Sequence, residues 1–352
     1  MSTTPDPTTA EDTAGSTVRS TQIQLVARPQ GWPTEENFRT VEVTYGPLAP
    51  GQVRVRNAFL SVDPYMRGRM NEGRSYVAPF ALGETLTGGA VGRVVASRSP
   101  EHPVGALVSH QLGWRDVVQE DAGQFRVVPD VPGLSPSVHL GILGMTGLTA
   151  YVGLTDIAAL QPGETVFVSG AAGAVGSAVG QVARRLGAAR VIGSAGSAEK
   201  ARLLTKRYGF DVALNYKDAP IREQLAEAAP DGIDVYFDNV GGDHLEAALD
   251  AFNDGGRAAL CGAISAYNST GSTPGPDNLA NAITRGLTLR GFTVGGFLHR
   301  SAEFGPAMSG WLREGSVTFD ETVVDGLENT VEAFLSMMRG ANTGKMVVRV
   351  DA

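Results

Sequence analysis

The chain holds a single cysteine, Cys261, in 352 residues. One thiol closes no internal disulfide, and it excludes a four-cysteine zinc lobe and most thiolate zinc sites. Histidine is scarce as well: His102, His110, His139, His244 and His299 are scattered, with no HxxxH spacing. A catalytic zinc needs three ligands drawn from Cys, His and Asp/Glu. These histidines read instead as surface or hydrogen-bonded structural residues, so no metal is expected. No stretch approaches the roughly 20 apolar residues that span a bilayer. Basic charge is in deficit, with 29 Lys and Arg against 37 Asp and Glu and a net charge of −8. That balance disfavours a sequence-independent grip on nucleic acid or on an anionic membrane. Residues 1–20 carry one basic residue and no apolar segment, unlike a secretory signal or a transit peptide. They read as a loose polar tail, and a cytoplasmic location is the expectation.

What is present is ordinary core material. Hydrophobic residues make up 42% and charged residues 19%, and at roughly 150 residues per domain the length suits two domains. Glycine is heavily used, at 45 residues, so tight turns and close backbone approaches are frequent. From Thr21 to Gly144 short β-like runs are cut by Gly and Pro: Ile23–Val26, Val41–Thr44, Val53–Asn57, Gly89–Val95 and Gln124–Val128. This punctuation predicts an irregular, mainly antiparallel β domain.

The texture changes near Leu148. Thr165–Ser169 reads as a buried strand, and Val175, Ala178, Val179, Val182, Ala183 and Leu186 share one face of a helix that Gly187 stops. Strands then follow at Arg190–Ser194, Val212–Asn215, Ile233–Asp238, Gly256–Cys261 and Leu287–Phe292. Helices lie at Ala198–Tyr208, Ile221–Ala229 and Leu245–Phe252. Strands alternating with helices imply an α/β fold with a doubly wound parallel sheet. A further helix after Ser301, a strand at Val323–Val324, a helix at Thr330–Met338 and a strand at Met346–Val350 form a tail that returns to the first domain.

Between the first of these strands and its helix lies Ser169-Gly170-Ala171-Ala172-Gly173-Ala174-Val175-Gly176. Glycines there let the backbone approach a pyrophosphate, whose charge is met by N–H groups and the helix dipole. The second strand ends in Gly193-Ser194-Ala195-Gly196-Ser197 and lacks the acid that would hold the ribose 2′-hydroxyl of NAD. Small residues leave room for a 2′-phosphate, and Lys200 is placed to pair with it; the alternative is one more solvated helix lysine. NADP(H) is therefore the expected cofactor.

Five motifs carry a family resemblance: Val62-Asp63-Pro64-Tyr65-Met66-Arg67, Gly144–Tyr151 (GMTGLTAY), Phe237–Gly242 (FDNVGG), Cys261–Asn268 (CGAISAYN) and Asn342-Thr343-Gly344-Lys345. In this order, over residues 21–352, they resemble the zinc-independent medium-chain dehydrogenase/reductases of the prostaglandin reductase, alkenal double-bond reductase and curcumin reductase group. In zinc-dependent cousins a cysteine precedes a similar aspartate; aligning on Asp63 puts Leu60 there. The resemblance implies a tail at 1–20, a GroES-like substrate domain at 21–146 and 312–352, and a Rossmann domain at 147–311. It implies that Ala172, Gly173, Ala174 and Val175 hold the pyrophosphate and that Lys200 and Tyr216 meet the adenosine phosphate. Asn239, the stretch Cys261, Gly262, Ala263, Ile264, Ser265 and Tyr267, then Phe292, Thr293, Val294 and Asn342 would complete the cofactor site, with Met145 at the domain cleft. Cys261 reads equally as a small buried hydrophobe.

Tyr267 is the implied catalytic residue, beside the nicotinamide ribose; its alternative is loop packing. Tyr65 and Arg67 are candidates for substrate contact, or else fix one domain against the other. The implied reaction is NADPH-dependent reduction of the C=C bond of α,β-unsaturated ketones or aldehydes, with hydride delivered to the β-carbon. Quinone or enoyl-thioester reduction, and a non-catalytic NADPH-binding role of crystallin or sensor type, are the alternatives. The expected partners are a small enone or enal and a second copy of the chain, joined along Leu287–Phe292, with no nucleic acid or membrane.

Overall fold

The computed structural model describes residues 13–73 and 75–350. Strands β1 (Val18–Leu25) and β2 (Phe38–Tyr45) form an antiparallel hairpin. A larger sheet is built from β3 (Gln52–Ser61), β4 (Ala90–Ser97), β5 (Leu107–His110), β6 (Val117–Asp121) and β7 (Arg126–Val127). β3 is its spine: it pairs with β4 on one side, and its other side is shared between β6 and a strand from the end of the chain. A short helix, α1 (Tyr65–Arg69), follows β3.

Helix α2 (Met145–Val152) leads into the parallel sheet. Its strands are β8 (Thr165–Val168), β9 (Arg190–Ala195), β10 (Val212–Asn215), β11 (Ile233–Asp238), β12 (Phe252–Leu260) and β13 (Thr288–Gly291), in the spatial order β10-β9-β8-β11-β12-β13. Helices α3 (Ala174–Arg185), α4 (Ala198–Lys206), α5 (Ile221–Ala228), α6 (Asp243–Ala251) and α7 (Asn281–Thr284) connect them, and α8 (Ser301–Arg313) follows. The chain then crosses back. β14 (Glu321–Asp325), helix α9 (Thr330–Met338) and β15 (Lys345–Arg349) return to the antiparallel domain, where β15 pairs with β3.

Local sequence explains the parallel half. Val166, Phe167 and Val168 of β8 are fully buried, as a central strand covered on both faces requires. Ala178, Val179, Val182 and Ala183 of α3 are equally buried on the face read from their spacing. The strand order reverses between β8 and β11, which opens a crevice at their carboxyl ends.

The antiparallel half departs from expectation in three places. The tail ends sooner than Ser20. Val18–Ser20 belong to β1, the buried Ser20 hydroxyl donates to Val117 O at 2.7 Å, and Arg54 donates to Ser16 O at 3.0 Å; residues 1–12 lie outside the described chain. Strands β5 and β6 have no counterpart among the expected runs, and Gln124–Val128 shrinks to β7. The buried polar side chains Ser20, Gln22 and His110 blur the alternation that marks a strand. Finally, the expected divisions after residues 146 and 311 fall inside α2 and α8, whose buried residues Leu148, Phe304 and Met308 share one cluster with Val166 and Val179.

Candidate functional site

The glycine loop lies where the strand order reverses. Gly173 caps α3, so the N–H groups of its first turn, Ala174 to Gly176, have no partner within the helix. Gly176 cannot be replaced cheaply, because a Cβ there would fall 2.4 Å from Gly170 O. The Ala172 carbonyl accepts the Gly344 N–H at 2.9 Å, which ties this loop to the Asn342–Lys345 motif. Asn342 Nδ2 in turn donates to Gly344 O at 2.8 Å.

Lys200 and Tyr216 lie beyond the ends of β9 and β10. Ser197 caps α4 by accepting the Lys200 N–H at 3.2 Å, and Lys200 Nζ donates to Gly340 O at 2.7 Å. The ammonium is therefore docked on the returning chain, not loose in solvent. Burial lowers its pKa, and the Lys217 charge adds to the effect. Lys217 was not singled out in the sequence, although it adjoins Tyr216; two ammonium groups within electrostatic reach suit a doubly charged anion. Tyr216 is 41% exposed, and its ring stands edge-on to His244 with centroids 5.2 Å apart. Its hydroxyl lies where a Cβ at Gly196 would approach to 2.6 Å.

At the ends of β8, β11 and β12 the chain is locked by hydrogen bonds. Asn239 donates twice to one residue: its N–H to Ser169 Oγ at 2.9 Å and its Nδ2 to Ser169 O at 2.8 Å. The buried Asp238 carboxylate receives the N–H groups of Val240 and Gly241 at 2.9 and 2.8 Å. Asp238 O accepts from Cys261 and Gly262, Asn239 O from Ile264, and Val240 O from Ser265. Burial, then the Asp238 charge, pushes the Cys261 thiol up to about 12. At neutral pH the thiol stays protonated.

Tyr267 bridges the two halves. Its ring packs on the antiparallel domain's cluster of Val62, Met66, Phe80 and Phe334, as does Tyr65. Its oxygen accepts the Ala263 N–H at 3.4 Å, and a Cβ at Gly262 would lie 3.2 Å from it. A hydroxyl that accepts still has its own proton to give. Burial raises its pKa against the lowering effect of the Ala263 N–H, with Cys261 and Asp238 raising it further. The hydroxyl of Tyr65 is likewise raised, by burial and then by Asp63. Tyr76 is 68% exposed on the 71–79 loop and within electrostatic reach of Tyr267 and Cys261; no sequence motif marked it. Phe292 follows β13 with its ring edge-on to Phe237, Thr293 begins the turn Val294–Arg300, and Met145, 37% exposed, opens α2.

Arg67 goes elsewhere than a substrate-contact reading expects. It is 2% exposed, and its guanidinium is engaged with Gly31 O, Asn71 Oδ1 and Asn268 Oδ1. That leaves it little surface to offer a substrate.

Among the described residues no three His, Cys, Asp or Glu side chains gather as a ligand set. Leu60, which the resemblance sets against a cysteine of zinc-dependent cousins, is fully buried in β3.

Two family models match the chain: an N-terminal domain of oxidoreductase over residues 21–128, and a domain described as zinc-binding dehydrogenase over residues 174–311. The NADPH-dependent curcumin reductase of Escherichia coli is 42% identical over 94% of this chain and 97% of its own. Prostaglandin reductase 1 of Sus scrofa is 41% identical over 94% of this chain and 99% of its own. The crystal structure of CurA from Vibrio vulnificus in complex with NADPH superposes with a TM-score of 0.90 at 41% identity, covering 95% of this chain and all of that one, 100%. The chain belongs to the medium-chain dehydrogenase/reductase family, in the group of the curcumin and prostaglandin reductases.

Proposed function

We propose that the protein is an NADPH-dependent reductase of the C=C bond of α,β-unsaturated ketones and aldehydes that works without a metal. The observation that carries this reading is Tyr267: a protonated hydroxyl from the β12 loop, packed against the antiparallel domain and fixed beside Gly262 and Ala263. The residues fit the cofactor. The first turn of α3 offers N–H groups and a positive dipole end to the pyrophosphate. Lys200, with Lys217 near it, and Tyr216 would meet a 2′-phosphate where no acid follows β9.

When bound, the reduced nicotinamide supplies a hydride to the β-carbon, which the carbonyl makes electrophilic. The chain's own residues do the rest. Asn239 and the Cys261–Ser265 turn form the floor at the carboxyl ends of β11 and β12. As charge grows on the substrate oxygen, the Tyr267 proton would support the cofactor ribose hydroxyl that stabilises the enolate. The α-carbon then receives a proton from Tyr267 or from water. Tyr65, packed on the same cluster as Tyr267, and Tyr76, within electrostatic reach of both, would offer aromatic surface to a flat enone.

The same reading includes a homodimer. β13 is one of the two outer strands of the parallel sheet, and Leu279, Ile283 and Leu298 near it are 52, 85 and 64% exposed. Sedimentation equilibrium tests it; a monomer at micromolar concentration refutes it.

The activity is tested by mixing protein, NADPH and a panel of enones, quinones and acyl thioesters while following absorbance of the reduced cofactor. Turnover should be fastest with the enones and yield the saturated ketone. Oxidation confined to quinones or thioesters, or none at all, sinks the reading.

A further inference from the structure

Three loops from distant parts of the chain meet at one buried cation. Arg67 donates from Nη2 to Gly31 O at 2.7 Å, from Nη1 to Asn71 Oδ1 at 2.6 Å, and from Nε to Asn268 Oδ1 at 3.0 Å. Gly31 has a φ of +76°, and a Cβ there would lie 3.3 Å from Thr270 Cγ2 and 3.7 Å from Asn268 O. The 29–33 loop therefore rests directly on the loop that follows Tyr267. These contacts end on uncharged oxygens, an expensive way to bury a guanidinium. What the planar fork supplies in return is direction, because its N–H groups point along fixed lines. One of those lines ends on the residue next to Tyr267.

We propose that Arg67 and Asn268 are a positioning pair: the Nε–Oδ1 bond clamps the Tyr267 loop of the parallel-sheet domain onto the antiparallel domain and so sets the Tyr267 hydroxyl in the cleft. The proposal rests on the reading of Tyr267 given above. It makes a motif on one domain and a motif on the other parts of one device. Neither residue of the pair touches substrate; both act through the tyrosine.

Arg67 is too deeply buried for a clean variant, so the test is placed on the half-buried Asn268. Full-length protein, NADPH and 3-penten-2-one serve as the assay. Asn268→Ala should lower kcat about 10- to 100-fold, as small misplacements of a reacting group do, with NADPH affinity and Tm close to wild type. Asn268→Asp keeps an oxygen for Arg67 Nε and should restore kcat to within about threefold, since a charge-assisted acceptor is at least as strong. On a Tyr267→Phe background, Asn268→Ala should cost nothing further. Unchanged kcat in Asn268→Ala, a loss that tracks Tm or NADPH affinity, or no rescue by Asp each overturns the pair. If Tyr267→Phe is impaired and the two losses multiply, the pair alone falls. If Tyr267→Phe is itself silent, the reading of the tyrosine falls and the pair falls with it.

Discussion

Lys345 Nζ lies 3.1 Å from Asp63 Oδ1, and both side chains are almost wholly buried, at 5 and 6% exposure. The Asn342–Lys345 motif at the end of the chain is thus bonded to the Val62–Arg67 motif near its start. Lys345 Nζ also donates to Val62 O and Met346 O, each at 2.9 Å, and Ser61 Oγ donates to the other carboxylate oxygen. Asp63 is held two residues before Tyr65, so the pair anchors one wall of the cleft as well as the returning tail.

Breaking this pair strands a charge. Lys345→Met leaves the Asp63 carboxylate buried with only Ser61, and it should cost about 3–5 kcal/mol. Asp63→Asn combined with Lys345→Met should recover much of that. Urea unfolding of the three variants checks it; a double variant no more stable than Lys345→Met would show that the ion pair is not the main term.

Lys200→Ala tests the cofactor preference. Losing one charge-assisted contact should cost about 1–3 kcal/mol, so NADPH should bind about tenfold or more weakly while NADH affinity barely moves. Fluorescence titration with both cofactors reads this directly. Equal losses would mean that the lysine's bond to Gly340 O matters and its charge does not.

Tyr267→Phe should lower kcat about 10- to 100-fold on a small enone. An oxyanion donor removed outright costs about 2.7–4 kcal/mol, and a supporting group costs less. NADPH affinity should hold, because the glycine loop and Lys200 lie at the other end of the site. A kcat unchanged from wild type would reduce the tyrosine to packing and leave water as the proton source.

The acid limb of the stability curve should depend on His110. Burial, then the Arg115 charge, lowers its pKa from 6.5 to about 3. The neutral ring is fully used: Nε2–H donates to Asn57 Oδ1 at 2.8 Å, and Nδ1 accepts the Leu112 N–H at 3.1 Å. With a depressed folded pKa, this contribution is complete above 6.5 and is lost as pH falls toward 3, where the unfolded chain alone takes up the proton. The slope is about 1.4 kcal/mol per pH unit. His110→Gln should be less stable at neutral pH, yet lose less between pH 6 and 4.5 in parallel urea titrations at about those values. Parallel curves for the two proteins would show that other groups set the limb.

Extended dialysis against a strong chelator should leave turnover intact, and elemental analysis should find no stoichiometric zinc. The donor set motivates this: one cysteine in the sequence, and no gathering of three ligand side chains among the described residues. Activity lost to chelation and restored by zinc would refute it.

Much of the parallel domain could be read residue by residue. A run such as Thr165–Val168 buries both its faces, and α3 buries one, so their composition and period declare them. The glycine loop is equally legible, because its chemistry requires small residues at fixed spacing and consecutive positions. The antiparallel domain was harder. β5 ends in a buried histidine, and β1 alternates with buried Ser20 and Gln22, so neither shows a clean apolar stripe.

The sequence by itself determined the alternating strands and helices, the cradle at Gly170–Gly176, the missing acid after β9 and the absence of a thiolate set. The first three are local, since each depends on residues within one turn or strand, and the last is a count over the whole sequence. The tertiary structure alone decided that Arg67 reaches Asn268 across 201 positions, that Lys345 reaches Asp63, and that Lys200 docks on Gly340. It also turned Tyr267 from a loop aromatic into a bridge between the two domains. Partners so far apart in the chain carry no periodicity that links them. The pairing of β15 with β3, and the seating of the Tyr267 loop on α1, bring such charges and their acceptor oxygens within hydrogen-bond distance.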